Sequence, residues 1–347
     1  PGSNQGSISV FNIGSAGTLT PIPGSPFLSG GTAPVSLSLV NNDSTLIVAN
    51  RDELAEGGVQ GPVAGGILNN YVSFKVSSSG AISAPITTLP VPATSGLPFS
   101  SLNGVTQVLR APSNLTNKTI VFAVEEGDAI RSFQVNADST FSEVPGSPFH
   151  TPADGMGPFT GANAGAGNHV PLGMDVHPNQ PIIYVNDVKI ATLLVYTYTP
   201  DGVLTYSGFV PNANGVAACW VKVDTLHSKV YTADTLTNSV SVFDISANPL
   251  MPVQLAVPTP GTTAPGNVVL STDGDPYQLA LDPQMQFLYV TNPRNFDPNV
   301  ITGVPRPLSA ANTEHVLKIN ADGTLTEVSS VKIPNSNGLN IEGGLAL

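Results

Sequence analysis

One pattern recurs along the chain and limits what it can fold into. Five segments share it: STLIVANRD (Ser44–Asp52), KTIVFAVEEGD (Lys118–Asp128), QPIIYVNDV (Gln180–Val188), HSKVYTADT (His227–Thr235) and MQFLYVTNP (Met285–Pro293). Each reads as a β-strand of apolar and β-branched residues that stops on a polar side chain. The stops are Asn50, Glu125, Asn186, Asp234 and Asn292, 48 to 75 residues apart. A first strand precedes each (VSLSLVN, VTQVLRA, PLGMDVH, CWVKVDT, YQLALDP). Two more follow, as in YVSFKVSSSGAISAP (Tyr71–Pro85) and LLVYTYTPDGVLTYSGFV. The repeating unit is therefore strand–turn–strand–loop–strand–turn–strand.

A four-stranded unit repeated at this spacing predicts an all-β propeller over residues 1–347 as a single domain. The matched stretches PIPGSPF (Pro21–Phe27) and EVPGSPF (Glu143–Phe149) close the fourth strand of two units. Residues 7–27 supply third and fourth strands at the start and residues 338–347 a first strand at the finish, so the two ends are expected to close the ring in one mixed blade. Six units are visible, one short by a strand. Composition agrees: 34 Gly and 32 Pro punctuate a chain that is 41% hydrophobic and 10% charged, and no long stretch carries helical periodicity.

The repeats resemble those of the seven-bladed lactonase and carboxymuconate-cyclase-like propeller family. Tyr289-Val290-Thr291-Asn292 is similar to that family's YVTN signature, and AACWVKV (Ala217–Val223) and GSPF look like it too. The resemblance spans the whole chain. It implies seven blades with an N-terminal portion missing here, a six-bladed ring being the alternative. It also implies an enzyme that opens or forms a lactone ring. The alternative is a non-catalytic extracellular scaffold binding carbohydrate or protein, since a fold does not fix a function.

Loop lengths point to a working face. The long connections, 51–70, 87–104, 150–171, 258–276 and 292–315, all join second to third or fourth to first strands, which places them on one face. The sequons Asn42-Asp-Ser, Asn114-Leu-Thr and Asn117-Lys-Thr fall in first-to-second turns on the opposite face. N-linked glycans at Asn42, Asn114 and Asn117, and an extracellular location, are expected.

Lactone opening needs a base to activate water and a positive group for the developing oxyanion. Glu125, His169, Arg51 and Arg294 are the catalytic candidates, with Asn50, Glu126, Asn186, Asp234, Asn292 and Trp220 for ligand binding. Asp128, His150, His315 and Arg306 share the loop-rich face. Arg110 and Arg131 are expected away from it. With five arginines in all, a neutral lactone or sugar-derived ligand suits the chain better than a tricarboxylate. No cofactor is expected. The alternative is calcium on the oxygens of Asn50, Glu125, Asn186, Asp234 and Asn292, and the five scattered histidines show no zinc spacing. A net charge of −12 disfavours nucleic acid, and no apolar run is long enough to cross a membrane. The single cysteine, Cys219, excludes an internal disulfide and is expected to pack in the core with Trp220.

Overall fold

The computed structural model describes residues 5–51, 69–91, 104–126, 129–150, 169–213, 215–255, 267–271, 274–292 and 313–333. Among them, a single 3-10 turn at Thr235–Thr237 is the only helix. The chain divides into two compact units.

The first unit opens with an interrupted hairpin. β1 (Ser7–Ile8) and β2 (Phe11–Ile13) form one arm, β3 (Leu19–Pro21) and β4 (Phe27–Leu28) the other, with β1 on β4 and β2 on β3. These are the third and fourth strands expected from the sequence. A complete antiparallel sheet follows, β5 (Ala33–Val40), β6 (Thr45–Arg51), β7 (Asn70–Lys75) and β8 (Thr87–Pro90), in that order. The next sheet is β9 (Val105–Arg110), β10 (Thr119–Glu125) and β11 (Ala129–Val135). Its outer position is shared by β12 (Phe141–Glu143) and β13 (Phe149–His150), both paired to β11.

The second unit holds three sheets of the same kind. They are β14 (Pro171–Val176), β15 (Ile182–Asp187), β16 (Thr192–Tyr198) and β17 (Leu204–Pro211); β18 (Ala218–Asp224), β19 (Lys229–Asp234) and β20 (Ser239–Asp244), with β21 (Val253–Gln254) and β22 (Asn267–Val269) both on β20; and β23 (Leu279–Leu281), β24 (Phe287–Asn292), β25 (Thr313–Ile319) and β26 (Leu325–Lys332). The turn Tyr198–Leu204 groups with the first unit. The architecture is a β-propeller of four-stranded blades.

The outer strands correct the sequence reading. The fourth strand of the β5–β8 blade is Thr87–Pro90, inside a stretch read as an insertion. The expected Ala81–Pro85 contributes only a bridge between Val76 and Ile82. Likewise β22 lies within the expected 258–276 insertion. β8 and β22 are four and three residues long and lie near prolines, so their pattern is too brief to register by alternation. The ring-closing residues 338–347 lie outside the described residues.

The second strands β6, β15 and β19 are buried along their whole length, and β10 beyond its first residue, because both faces are covered. Ile47 and Ala49 of β6 pack with Val121, Ala123 and Phe133 of the next sheet, while Leu46 and Val48 pack with Ile8 and Val72 on the other side. Removing each of the Ile, Leu, Val and Phe side chains from water contributes about 1.5–3 kcal/mol. That double coverage is why these strands read as continuous apolar runs.

The paired PGSPF stretches have one conformation. Gly24 and Gly146 both take φ +89°, and both Ser–Pro bonds are cis. Ser25 Oγ accepts the Val10 N–H at 2.9 Å and Ser147 Oγ the Ser132 N–H at 3.2 Å, so a hydroxyl stands in where the outer strand is broken. At the turn end of this unit, Asn41 laces neighbouring elements. Its Oδ1 accepts from Thr119 Oγ1 at 2.7 Å and its Nδ2 donates to the Asn136 carbonyl at 2.9 Å. Asn42, Asn114 and Asn117 are exposed in the β5–β6 and β9–β10 turns, as the sequence reading requires of sequons. Most of each long connection, 51–70, 87–104, 150–171, 258–276 and 292–315, lies outside the described residues.

Candidate functional site

Period two along a strand decides which way each terminal residue faces. Val121, Ala123 and Glu125 face the preceding blade, where Tyr71 meets Glu125. In β19, Val230 faces the preceding blade while Tyr231 and Ala233 face the following one, which puts Asp234 on the preceding side. Val290 and Asn292 of β24, and Val48 and Asn50 of β6, follow the same rule. In β15, however, Tyr184 packs with Val221 and Val230 of the following blade, and Asn186 points the same way. Asp187 is the residue in register with Asn50, Glu125, Asp234 and Asn292. Two polar residues end this strand, and the sequence reading took the first. Asn186 instead donates Nδ2 to the Trp220 carbonyl at 2.7 Å.

The side chains in register pin the connection that feeds their own blade, or brace the blade beside it. Asn50 donates to the Ser29 carbonyl at 3.0 Å and to Asn70 Oδ1 at 2.9 Å, with Gly31 so close that a Cβ there would lie 2.3 Å from that of Asn50. Asp234 accepts from Asn212 Nδ2 (2.7 Å), Thr232 Oγ1 (3.0 Å) and Ser241 Oγ, and Gly215 packs against its carboxyl. Among the described residues no cation joins this cluster, and burial pushes Asp234 up to about 7 against the pull of those donors. Asn292 packs on Gly274. All four residues at these second-strand ends, Asn50, Glu125, Asp234 and Asn292, are fully buried.

Glu125 reaches across to other partners. Arg131 donates to it and to Glu143, and Tyr71 donates its hydroxyl at 3.1 Å. Burial raises the Glu125 carboxyl, opposed by the guanidinium beside it. Arg131 therefore lies against the strand end rather than away from it. The hairpin register contains the signal: Ala129 stands opposite Glu125, so Arg131 falls two residues on along the same face. Arg51 and Glu126 bind each other through two parallel 3.0 Å hydrogen bonds, both buried.

His169 lies just before β14 and places Nδ1 2.7 Å from Asp187 Oδ2; the residue is 7% exposed. Asp187 Oδ1 accepts the N–H groups of Val170 (3.2 Å), Lys189 (3.1 Å) and Ile190 (3.3 Å). This pair brings a sequence candidate together with a residue the sequence reading missed. His315 is buried against Glu327 at 2.8 Å, and Glu327 accepts from Ser271 Oγ and N. Burial raises Glu314, on the same strand as His315, to about 7. His150 ends β13. Trp220 packs against Tyr277 with ring centroids 6.1 Å apart, and buried Cys219 accepts from Thr235 Oγ1, as core residues do. Arg294, Arg306 and Asp128 lie outside the described residues.

Among the described residues, no three or more His, Cys, Asp or Glu gather closely enough to hold a metal. Of the oxygens named for calcium, those of Glu125 and Asp234 are engaged by protein donors. Asn50 Oδ1, Asn186 Oδ1 and both amide atoms of Asn292 are buried without a hydrogen-bond partner.

These features define the class as a β-propeller, and comparison with solved structures agrees. No protein-family model and no curated sequence matches the chain. A candidate 6-phosphogluconolactonase from Bacteroides fragilis is 16% identical, with TM-score 0.63, over 94% of this chain and 77% of that one. The periplasmic gluconolactonase PpgL of Pseudomonas aeruginosa is 16% identical, with TM-score 0.57, over 96% and 93%. The Cps50 (Swd1) β-propeller domain of Myceliophteria thermophila is 9% identical, with TM-score 0.54, over 95% and 81%. At these identities the likeness is one of fold.

Proposed function

We propose that the protein hydrolyses a lactone, with a neutral sugar-derived lactone as substrate and His169 as the general base. The observation that carries this reading is the imidazole fixed at 2.7 Å from Asp187 at the end of a blade, nearly but not wholly buried. A base held in one orientation at a rigid strand end is what water activation needs. The gluconolactonase and 6-phosphogluconolactonase descriptions of similarly folded proteins favour this substrate class.

In the proposed reaction, His169 Nε2 takes a proton from water as its oxygen bonds to the lactone carbonyl carbon. The bond from that carbon to the ring oxygen then breaks. The ring oxygen leaves with the electron pair and receives the proton from His169. The product is a hydroxy acid, which releases a proton at neutral pH. Arg294 remains the proposed cation for the oxyanion, since Arg51 is bound to Glu126. Secretion, and N-linked glycans at Asn42, Asn114 and Asn117, complete the proposal.

The test is pH-stat titration on a panel of sugar and aliphatic lactones, with and without chelator. Acid release is expected from wild type, falling by about 10²–10⁴-fold in His169→Gln. Undiminished release by folded His169→Gln, or no release from any lactone, overturns the reading. Loss of release with chelator alone would bring back calcium.

A further inference from the structure

We infer that Asp187 is a positioning residue whose two carboxylate oxygens have separate tasks: Oδ1 shapes the chain around the site, and Oδ2 sets which nitrogen of His169 is basic. The inference rests on the reading of His169 as the base and adds how that base is made competent.

Oδ1 accepts three backbone N–H groups, from Val170, Lys189 and Ile190. Two of these lie two and three residues after Asp187, the geometry of an Asx turn. The third belongs to the residue after His169, so this one oxygen holds the imidazole's own backbone against the end of β15. The Val188 N–H to Val170 carbonyl hydrogen bond (3.0 Å) closes the same junction. Oδ2 is the atom that meets His169 Nδ1 at 2.7 Å. An ionised carboxylate only accepts, so the proton of a neutral imidazole must reside on Nδ1 and the lone pair on Nε2. When the ring takes a proton from water, the same carboxylate lies beside the new positive charge and stabilises it.

The two tasks respond differently to substitution. Asp187→Asn keeps an amide oxygen that can accept the three N–H groups. It replaces Oδ2 by an NH₂ group, a donor facing Nδ1. Nδ1 must then accept, and the ring proton moves to Nε2. Asp187→Ala removes both tasks.

The experiment uses the full chain labelled with ring-¹⁵N histidine, and long-range ¹H–¹⁵N spectra of its five histidines. The His169 signals are assigned by their loss in His169→Gln. In wild type above the ring's titration, His169 is expected as the Nδ1–H tautomer. In Asp187→Asn it is expected as the Nε2–H tautomer, with the melting temperature close to wild type and kcat on the responsive lactone lower by about 10³-fold or more, KM changing little. Asp187→Ala should lose thermal stability as well as kcat.

A wild-type ring protonated on Nε2 overturns the inference, and this measurement needs no substitution at Asp187, only His169→Gln as the assignment reference. So does a tautomer that Asp187→Asn leaves unchanged, or a switched tautomer with kcat intact. Absence of acid release from every lactone overturns the lactonase reading instead, while the tautomer spectra still decide what Asp187 does to His169.

Discussion

Glu125 and Asp187 hold equivalent places at the ends of second strands, yet their surroundings differ. Glu125 lies in a closed set of charges: Arg131 neutralises it, Glu143 shares that guanidinium, and Tyr71 fills a remaining lone pair. Among the described residues, Asp187 has backbone N–H groups on one oxygen and an imidazole on the other. A strand-end acid can thus be held by a guanidinium, as Glu125 is, or by an imidazole and backbone N–H groups, as Asp187 is. Asp234 shows a third outcome, a buried acid among hydroxyl and amide donors alone.

The largest effect should come from breaking the brace. Arg131→Met leaves Glu125 buried without its cation and is expected to lower stability by about 3–5 kcal/mol, read by urea denaturation. A loss under 1 kcal/mol would mean that Glu125 is not held as a charge. Tyr71→Phe removes one donor to the same carboxylate and should cost about 1.5–3 kcal/mol; a double-mutant cycle with Arg131→Met should show the two coupled. At the Asp234 pin, Gly215→Ala would put a Cβ 2.2 Å from the carboxyl carbon. An expected cost of about 1–3 kcal/mol follows, for forcing that contact apart.

Asp234 also carries a pH signature. Its folded pKa, about 7, stands above the unfolded value near 3.8. The native state therefore holds the proton more tightly. The stabilisation is present in full below the unfolded pKa and is lost as pH rises through 7, by up to about 1.4 kcal/mol per pH unit in between. Asp234→Asn should flatten the pH dependence of stability across that window, and an unchanged slope would place the titration elsewhere. The smallest effect concerns the Arg51–Glu126 pair: Arg51→Lys gives up a bidentate contact for a point charge and should cost about 1 kcal/mol.

Much of this was legible in the chain. Second strands covered on both faces announce themselves as unbroken apolar runs, and PGSPF marks the same turn twice. The face of a terminal residue is harder to read, because one step along a strand reverses it. In Tyr184-Val185-Asn186-Asp187 both final residues are polar, and only the packing of Tyr184 against Val221 shows that Asp187 is in register. Arg131 was misplaced for a related reason: its nearness to Glu125 follows from where the hairpin folds back, which no single strand reveals. The Asp187 partner of His169 is 18 residues away, at a distance only the blade closes.

The divided outer strands bear on how copies of this protein behave toward one another. A long, flat outermost strand leaves a row of unpaired N–H and C=O groups on which another chain can template. Here β12 and β13 are three and two residues long, and β21 and β22 two and three, each pair separated by a break. None presents enough consecutive backbone to seed sheet growth. In these two blades the interruption that weakens the outer pairing thereby guards against edge-to-edge stacking, whereas β17 and β26, eight residues each, keep continuous outer strands.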